Sequence, residues 1–528
     1  MSSRHRFIII LLTTLLSSCF ATPKHIGDSI ATADSAVFLS VLPDTLFGST
    51  DAIEWKTIIY DSTSNATLHN LASLYSNTPG IFTFRGGAFR DAPFCGHVNG
   101  IPDTILVDWK FTTDYDGRIT DYGVWGGGSG WTGQPLYVNW PDSIIDRFRN
   151  ESPALTKHFD KEEIIIGSLA SKIYFINFNT GDSSRRSLKT HNTIKGTVSL
   201  DPTLNGNLYV GQGIPCTRPF GAMTFNLFSH TMTHFFPQDK NAWRKWGAYD
   251  SSPIRVDRFL FLIGENGTMY KYLIEGDNLT LHSTLQFRKL HKSAAGMEAS
   301  MSVLCNYGYV SDNHGSILCV NLNTMKPVWH YDNHDDSDGS PVLAIENGRP
   351  YLYSACEMDK QGIVGNCHFV KLDALNGTLK WEQIFSCRRG KMGGKKFDGG
   401  QFSTPLLGSG NCDSLVFTNI VTNNKPGLQG DFVALNRYDG SVAYSVHMNH
   451  YAWSSPVALI NDQGQFFVFT ADTKGRAYII DGKSGDVLCQ CAIGSNFESS
   501  PIVVGNSIVI GSRGRNIYKL TITNKNTE

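Results

Sequence analysis

Residues 307–331 read YGYVSDNHGSILCVNLNTMKPVWHY, three short runs rich in β-branched and aromatic residues, parted by Asp312-Asn313-His314-Gly315 and by Leu322-Asn323-Thr324-Met325. Gly, Asn and Asp are the residues that most readily take positive φ, so the stretch predicts an antiparallel meander with tight turns. The same grammar returns in FLFLIGENGTMYKYLI (259–274) and in FFVFTADTKGRAYIIDGKSGDVLCQC (466–491). No long amphipathic helical pattern competes with it there.

Between the meanders a second signal recurs, a small or polar pair ending in proline. Its copies are Gly133-Gln134-Pro135, Leu200-Asp201-Pro202, Ser251-Ser252-Pro253, Gly339-Ser340-Pro341, Ser403-Thr404-Pro405, Ser454-Ser455-Pro456 and Ser499-Ser500-Pro501, and an eighth, Ala299-Ser300-Met301, ends in Met. The spacing, about 40 to 67 residues, is that of one four-stranded propeller blade with variable loops. Eight markers predict an all-β, eight-bladed β-propeller of four-stranded antiparallel blades.

Composition agrees. The 528 residues would allow three or four average domains, but one large repeat domain absorbs that length. Lys+Arg 46 against Asp+Glu 47 gives a net charge of −1, which removes the basic excess of a nucleic-acid binder. Aromatics at 12%, charged residues at 18% and 51 glycines suit many short strands and tight turns, and disfavour coiled coil or disorder.

At the N-terminus, Arg4, His5 and Arg6 precede the apolar run Phe7 to Leu16, too short to span a membrane and suited to a signal peptide. The run ends in Leu16-Ser17-Ser18-Cys19, which resembles the bacterial lipobox. That resemblance implies acylation of Cys19 and a lipid-anchored chain. Phe20 stands where some bacteria place the Asp that retains lipoproteins at the inner membrane, so the expected address is the outer membrane, facing the periplasm or the surface. Membrane contact is then through the anchor alone. Export permits disulfides among the other ten cysteines. Cys356 and Cys367 flank a hairpin loop (EMDKQGIVGN), which allows a local bridge. The remaining connectivity stays open. No CxxC pair occurs and no metal site is read.

The segment Leu372-Asp373-Ala374-Leu375-Asn376-Gly377-Thr378-Leu379-Lys380-Trp381 resembles the blade motif of the pyrroloquinoline-quinone-like (PQQ-like) propeller family, with weaker copies at 320–329, 435–444 and 480–489. The resemblance covers roughly residues 85 to 522. It implies that Trp329 and Trp381 dock between neighbouring blades, with Tyr444 in a similar place elsewhere. After the last marker only about three strands remain, and Thr104 to Phe111 (TILVDWKF) offers the fourth. Pairing the two chain ends in one blade removes exposed edges. The expected organisation is a signal peptide at 1–18, a tether and extension outside the ring at 19–84, the propeller at 85–522 and a tail at 523–528.

The first strand of each blade lines a propeller's channel, so the residue before each marker sits at one mouth. Among these are Asp250, Glu298, Asp338, Phe402, Trp453 and Glu498. Converging carboxylates raise one another's pKa unless a cation or donor is present, which makes Asp250, Glu298, Asp338, Trp453 and Glu498 a candidate ligand site. The stretch Asp332 to Gly339 has a partial calcium-loop pattern, but His334 interrupts it and no Glu stands at the twelfth position, so a solvated loop is expected. His230 with His234, and His447 with His450, lack a third partner.

For function, the resemblance implies three classes. A quinoprotein dehydrogenase would use PQQ and calcium, with Trp453, Glu298 and Asp250 in floor, metal and base roles. The adjacent Cys-Cys pair of several members is missing, because Gln490 separates Cys489 from Cys491, and no haem motif is present. Propeller lipoproteins of outer-membrane assembly keep the blades without the quinone and bind proteins through loops, for which Trp243 to Tyr249 and Cys387 to Gln401 are candidates. Carbohydrate binding or processing at the mouth is the third. The expectation is a non-catalytic scaffold with no assigned catalytic residue or cofactor, and with envelope proteins as partners; a glycan partner remains open.

Overall fold

The structure, a computed structural model, describes residues 46–61, 74–75, 79–131, 133–392, 395–423, 428–448 and 450–524. The signal peptide, Cys19 and the last four residues lie outside this range. Eight antiparallel sheets form an eight-bladed β-propeller. Blades 1 to 7 occupy 136–189, 199–237, 254–289, 302–332, 342–388, 406–448 and 457–492. Blade 8 combines 502–523 with Thr104–Thr112, whose outer strand runs antiparallel to Asn516–Thr523, with Trp109 opposite Lys519. A ten-residue helix, Asp142–Glu151, is inserted within blade 1.

The Ser/Pro markers are explained by a belt of hydrogen bonds around the axis. Ser252 N–H donates to Ser300 Oγ (2.9 Å), Ser300 N–H to Ser340 Oγ (2.8 Å) and Ser340 N–H to Thr404 Oγ1 (3.1 Å). Thr404 N–H then donates to Ser455 Oγ (2.9 Å), Ser455 N–H to Ser500 Oγ (3.1 Å) and Ser500 N–H to the Gly133 carbonyl (2.9 Å). Each hydroxyl therefore satisfies a backbone donor of the preceding blade in a buried place.

On the rim, four outer-strand aromatics press on a turn of the next blade. Trp329 Nε1 donates to the Ala374 carbonyl (3.1 Å), Trp381 Nε1 to that of Arg437 (2.9 Å), Tyr444 OH to that of Gly482 (2.9 Å) and Trp109 Nε1 to that of Phe178 (2.9 Å). The accompanying turn glycines, Gly377, Gly440, Gly485 and Gly181, all have positive φ. At Gly377 a Cβ would stand 2.7 Å from the Trp329 ring. Only glycine allows both the turn and the approach.

The described part of the N-terminal extension is built into the ring. Ile53–Ile59 adds a fifth, outermost strand to blade 3, with Trp55 opposite Phe287. Residues 80–98 then pass inside and touch every blade. Ile81 pairs with Tyr137 of blade 1, and the Phe82 carbonyl accepts Leu200 N–H of blade 2. Thr83 Oγ1 meets Ser252 Oγ of blade 3 at 3.0 Å. Ala88 and Phe89 carbonyls accept Val303 N–H of blade 4 and Leu343 N–H of blade 5, and Arg85 donates to the Pro405 and Pro456 carbonyls of blades 6 and 7. Gly96 pairs with Leu459, and His97 N–H reaches the Gly505 carbonyl of blade 8. This internal plug has no strand alternation, which is why the boundary at residue 85 fell within it.

The cysteines of the described residues are all free thiols. Cys356 and Cys367 are both fully buried, but the register sets Cys356 opposite His368, one residue past Cys367, and its Sγ accepts His368 N–H at 3.2 Å. The two thiols adjoin one another, unbridged.

Candidate functional site

Three of the four predicted mouth carboxylates meet in one pool. Asp250 and Glu298 both contact Lys195 Nζ, at 3.4 Å in the case of Glu298 Oε2. Glu265 joins them, each of the three offering an oxygen within 4.8 Å of the others. Asp338 forms a second triad of the same kind with Asp336 and Glu357. Asp250, Glu265, Asp338 and Glu357 are 2%, 3%, 4% and 4% exposed, so the acids are not independently solvated. Glu498 stands apart, bound to Arg513 Nη1 (3.1 Å) and Asn496 Nδ2 (2.8 Å).

Burial and mutual repulsion decide the charge state. Burial, then the neighbouring Glu298, pushes Glu265 and Asp338 well above the usual carboxylate range, and burial, then Asp338, does the same to Glu357. Asp336 is pushed up to about 7, mainly by burial, with Lys360 opposing. For Lys195, burial alone would lower the pKa, yet Asp250, Glu298 and Glu265 hold it well above its ordinary value. Burial and crowding therefore favour the protonated form of these carboxyls, and the acids favour the ammonium form of Lys195.

Opposite the acids lies an aromatic cluster. Lys195 Nζ stands 4.9 Å from the Trp131 ring, and Trp131 packs against Trp453 at 5.7 Å between centroids. Trp453 stacks on Phe402 (4.8 Å) and leans on Tyr451 (5.4 Å). A cleft of about 470 Å³ opens beside this cluster, with Tyr122, Trp125 and Trp246 among its walls and Lys195 and Glu265 at its base. Tyr122 is carried by the hairpin Asp116–Thr120/Gly123–Gly126 and meets Trp246 edge-on at 5.5 Å. Trp246 Nε1 donates to Glu265 Oε2 at 2.9 Å.

Many buried polar atoms here have no partner in the protein. Three are indole donors, Nε1 of Trp125, Trp131 and Trp453. The acceptors include Asp336 Oδ1 and Gln401 Oε1, whereas the Glu265 and Glu357 carboxyls hydrogen-bond to Asp250 and Asp338. Gln401 is fully buried, and its Oε1 would lie 3.2 Å from a Cβ at Gly339, next to Asp338. Buried polar groups in folded proteins are nearly always satisfied, so a concentration of exceptions marks a place that a polar ligand completes.

Sequence reasoning missed Lys195, Glu265, Glu357, Trp131 and Gln401, none of which occupies the position before a marker. Glu265 had a signal. It follows Gly264, which stands where Asp312 and Asp472 open the matching turns of blades 4 and 7 and accept N–H groups of their own turns, so Glu265 takes the place of Asn313 and Thr473. In blade 3 Asn266 takes that duty, and the longer Glu265 reaches the mouth. The loops expected to serve protein contacts are instead built into this end. Trp246 walls the cleft, Ala248 and Tyr249 are buried, and Gly400 pairs with Glu357. The loop 332–339 is not solvated either, since Asn333, Asp335, Ser337 and Asp338 are all buried.

No family model and no curated protein matches the chain by sequence. Solved structures do match in fold. A quinohemoprotein alcohol dehydrogenase from Comamonas testosteroni is 14% identical at a TM-score of 0.56, over 85% of this chain and 82% of that one. A europium-containing methanol dehydrogenase is 12% identical at 0.57, over 84% and 98%. BamB from Moraxella catarrhalis is 14% identical at 0.47, over 70% and 96%. The fold is thus that of the PQQ-like propellers.

The quinone and metal of that fold family do not fit the residues present. The Asp250–Glu265–Glu298 triad already holds the Lys195 ammonium, where a divalent ion would need to displace it. The Trp131 and Trp453 rings are occupied by Lys195, Phe402 and each other, so neither offers a free floor for a planar cofactor.

Proposed function

We propose that the chain is an envelope-tethered binding propeller, anchored through Cys19, that takes a polyhydroxylated ligand, a glycan, at the axial mouth without transforming it. The observation that carries this reading is the mixed set of unpartnered donors and acceptors beside aromatic faces: the Trp125, Trp131 and Trp453 indoles as donors, Asp336 and Gln401 as acceptors. A hydroxyl both donates and accepts, so neighbouring sugar hydroxyls satisfy such a set, whereas a simple anion or cation satisfies only half of it. Aromatic walls suit the apolar faces of sugar rings, and Tyr122 and Trp246 at the cleft entrance provide them. A protein-scaffold role is not favoured by a specific contact surface, because its candidate loops wall the mouth.

A glycan array probed with the labelled full-length chain tests the proposal. Saturable binding to one glycan class, lost in Trp246→Ala and in Glu265→Gln, is the expected result. Absence of saturable binding to any glycan overturns it.

A further inference from the structure

Away from the mouth, two imidazoles and a carboxylate converge at the joint of blades 4 and 5. His334 leaves the outer strand of blade 4, His368 lies on the third strand of blade 5 and Glu382 on its fourth. Glu382 Oε1 is 2.7 Å from His368 Nδ1 and 3.9 Å from His334 Nε2. The two imidazole rings are 4.1 Å apart between centroids, and each residue offers one ligand atom within 4.8 Å of the others.

The supports of the cluster are rigid. His334 is flanked by Asn333 and Asp335, 0% and 1% exposed, and the Asp335 carboxylate accepts the N–H groups of Asp359 (3.1 Å) and Lys360 (3.0 Å) from blade 5. His334 itself adopts φ +72°, a conformation disfavoured for a residue with a side chain, and this aims its ring across the joint. His368 and Glu382 stand on paired strands of one sheet.

We propose that His334, His368 and Glu382 form a binding site for a late first-row divalent ion, Zn²⁺ foremost, that rivets the exit loop of blade 4 to blade 5. Two nitrogens and one carboxylate oxygen select such ions over Ca²⁺ or Mg²⁺, which prefer all-oxygen shells. Tetrahedral bonds of about 2.0 Å set ligand atoms roughly 3.3 Å apart. The 2.7 Å contact must therefore open and the 3.9 Å one close, each by less than an ångström. Three protein ligands leave a fourth position for water. The side chain of His334 is 52% exposed, so an ion can enter from solvent.

The test uses the full-length chain stripped with EDTA and titrated with Zn²⁺ by calorimetry and with Co²⁺ by visible absorption. One ion per chain, with the d–d bands of Co²⁺ in a low-coordinate nitrogen and oxygen site, is expected. His334→Ala should weaken binding at least about tenfold, His368→Ala should abolish it, and Zn²⁺ should raise Tm in the parent but not in the His334→Ala/His368→Ala double variant. Equal Tm values of parent and variants in EDTA separate loss of ligand from loss of fold. A parent that binds no ion, or a double variant that binds as the parent does, overturns the proposal. Glycan binding at the mouth is unaffected in either case.

Discussion

Ser340 Oγ accepts the backbone N–H of Ser300 at 2.8 Å, across the joint between blades 4 and 5. Both residues are buried, so the hydroxyl is the only protein partner that this donor has away from water. The same contact, repeated from Ser252 to Ser500, makes the marker serines a structural element of ring closure rather than turn punctuation.

Ser340→Ala should therefore destabilise the whole ring by about 1–3 kcal/mol, the cost of a buried unsatisfied donor. Thermal denaturation should show a lower Tm with a single transition. An unchanged Tm would remove the belt from the account.

Trp109 seals the ring where its two ends meet. Trp109→Ala removes a buried indole and its bond to the Phe178 carbonyl, and should cost about 3–5 kcal/mol. Gly181→Ala attacks the same joint from the other side, since a Cβ there would lie 2.7 Å from Trp109 Cγ at φ +76°. Both variants should melt earlier and aggregate more readily than the parent.

Arg85 is buried and donates to the Pro456 (2.8 Å) and Pro405 (3.3 Å) carbonyls. Arg85→Met leaves both acceptors without that donor and should cost about 2–3 kcal/mol. Hydrogen exchange should then rise selectively across residues 80–98, the segment that Arg85 holds.

The acid pool gives a pH signature. A carboxyl whose pKa is higher folded than unfolded binds more protons in the folded state. Its stabilising contribution is full below the unfolded value and is lost as pH rises to the folded one. For Asp336 that window runs from 3.8 to about 7, and Glu357 shifts in the same direction. Glu357→Gln should raise Tm relative to the parent at pH 8 and lose that advantage at pH 4. A variant less stable than the parent at pH 8 would show that the Glu357 charge is compensated.

The fold was legible because its joints depend on residue type. A hydroxyl is needed at Ser340, a glycine at Gly377 and a large aromatic at Trp109, so blade number and closure follow from the chain. The plug was not legible, because Thr83, Arg85 and Ala88 reach different blades and leave no period to detect. The mouth was half legible. Asp250, Glu298 and Asp338 stand at repeat positions, but Lys195 and Trp131 belong to loops whose destination only the closed ring defines. Lys195 changes the chemistry most, since it supplies the candidate ligand site with a cation of its own.

Saturation-transfer NMR on the full-length chain with a panel of neutral and uronic-acid oligosaccharides tests the central claim most directly. The account predicts transfer to the ring protons of one oligosaccharide class, abolished in Trp246→Ala while the fold is retained. No transfer to any sugar, or transfer that Trp246→Ala leaves unchanged, would contradict it.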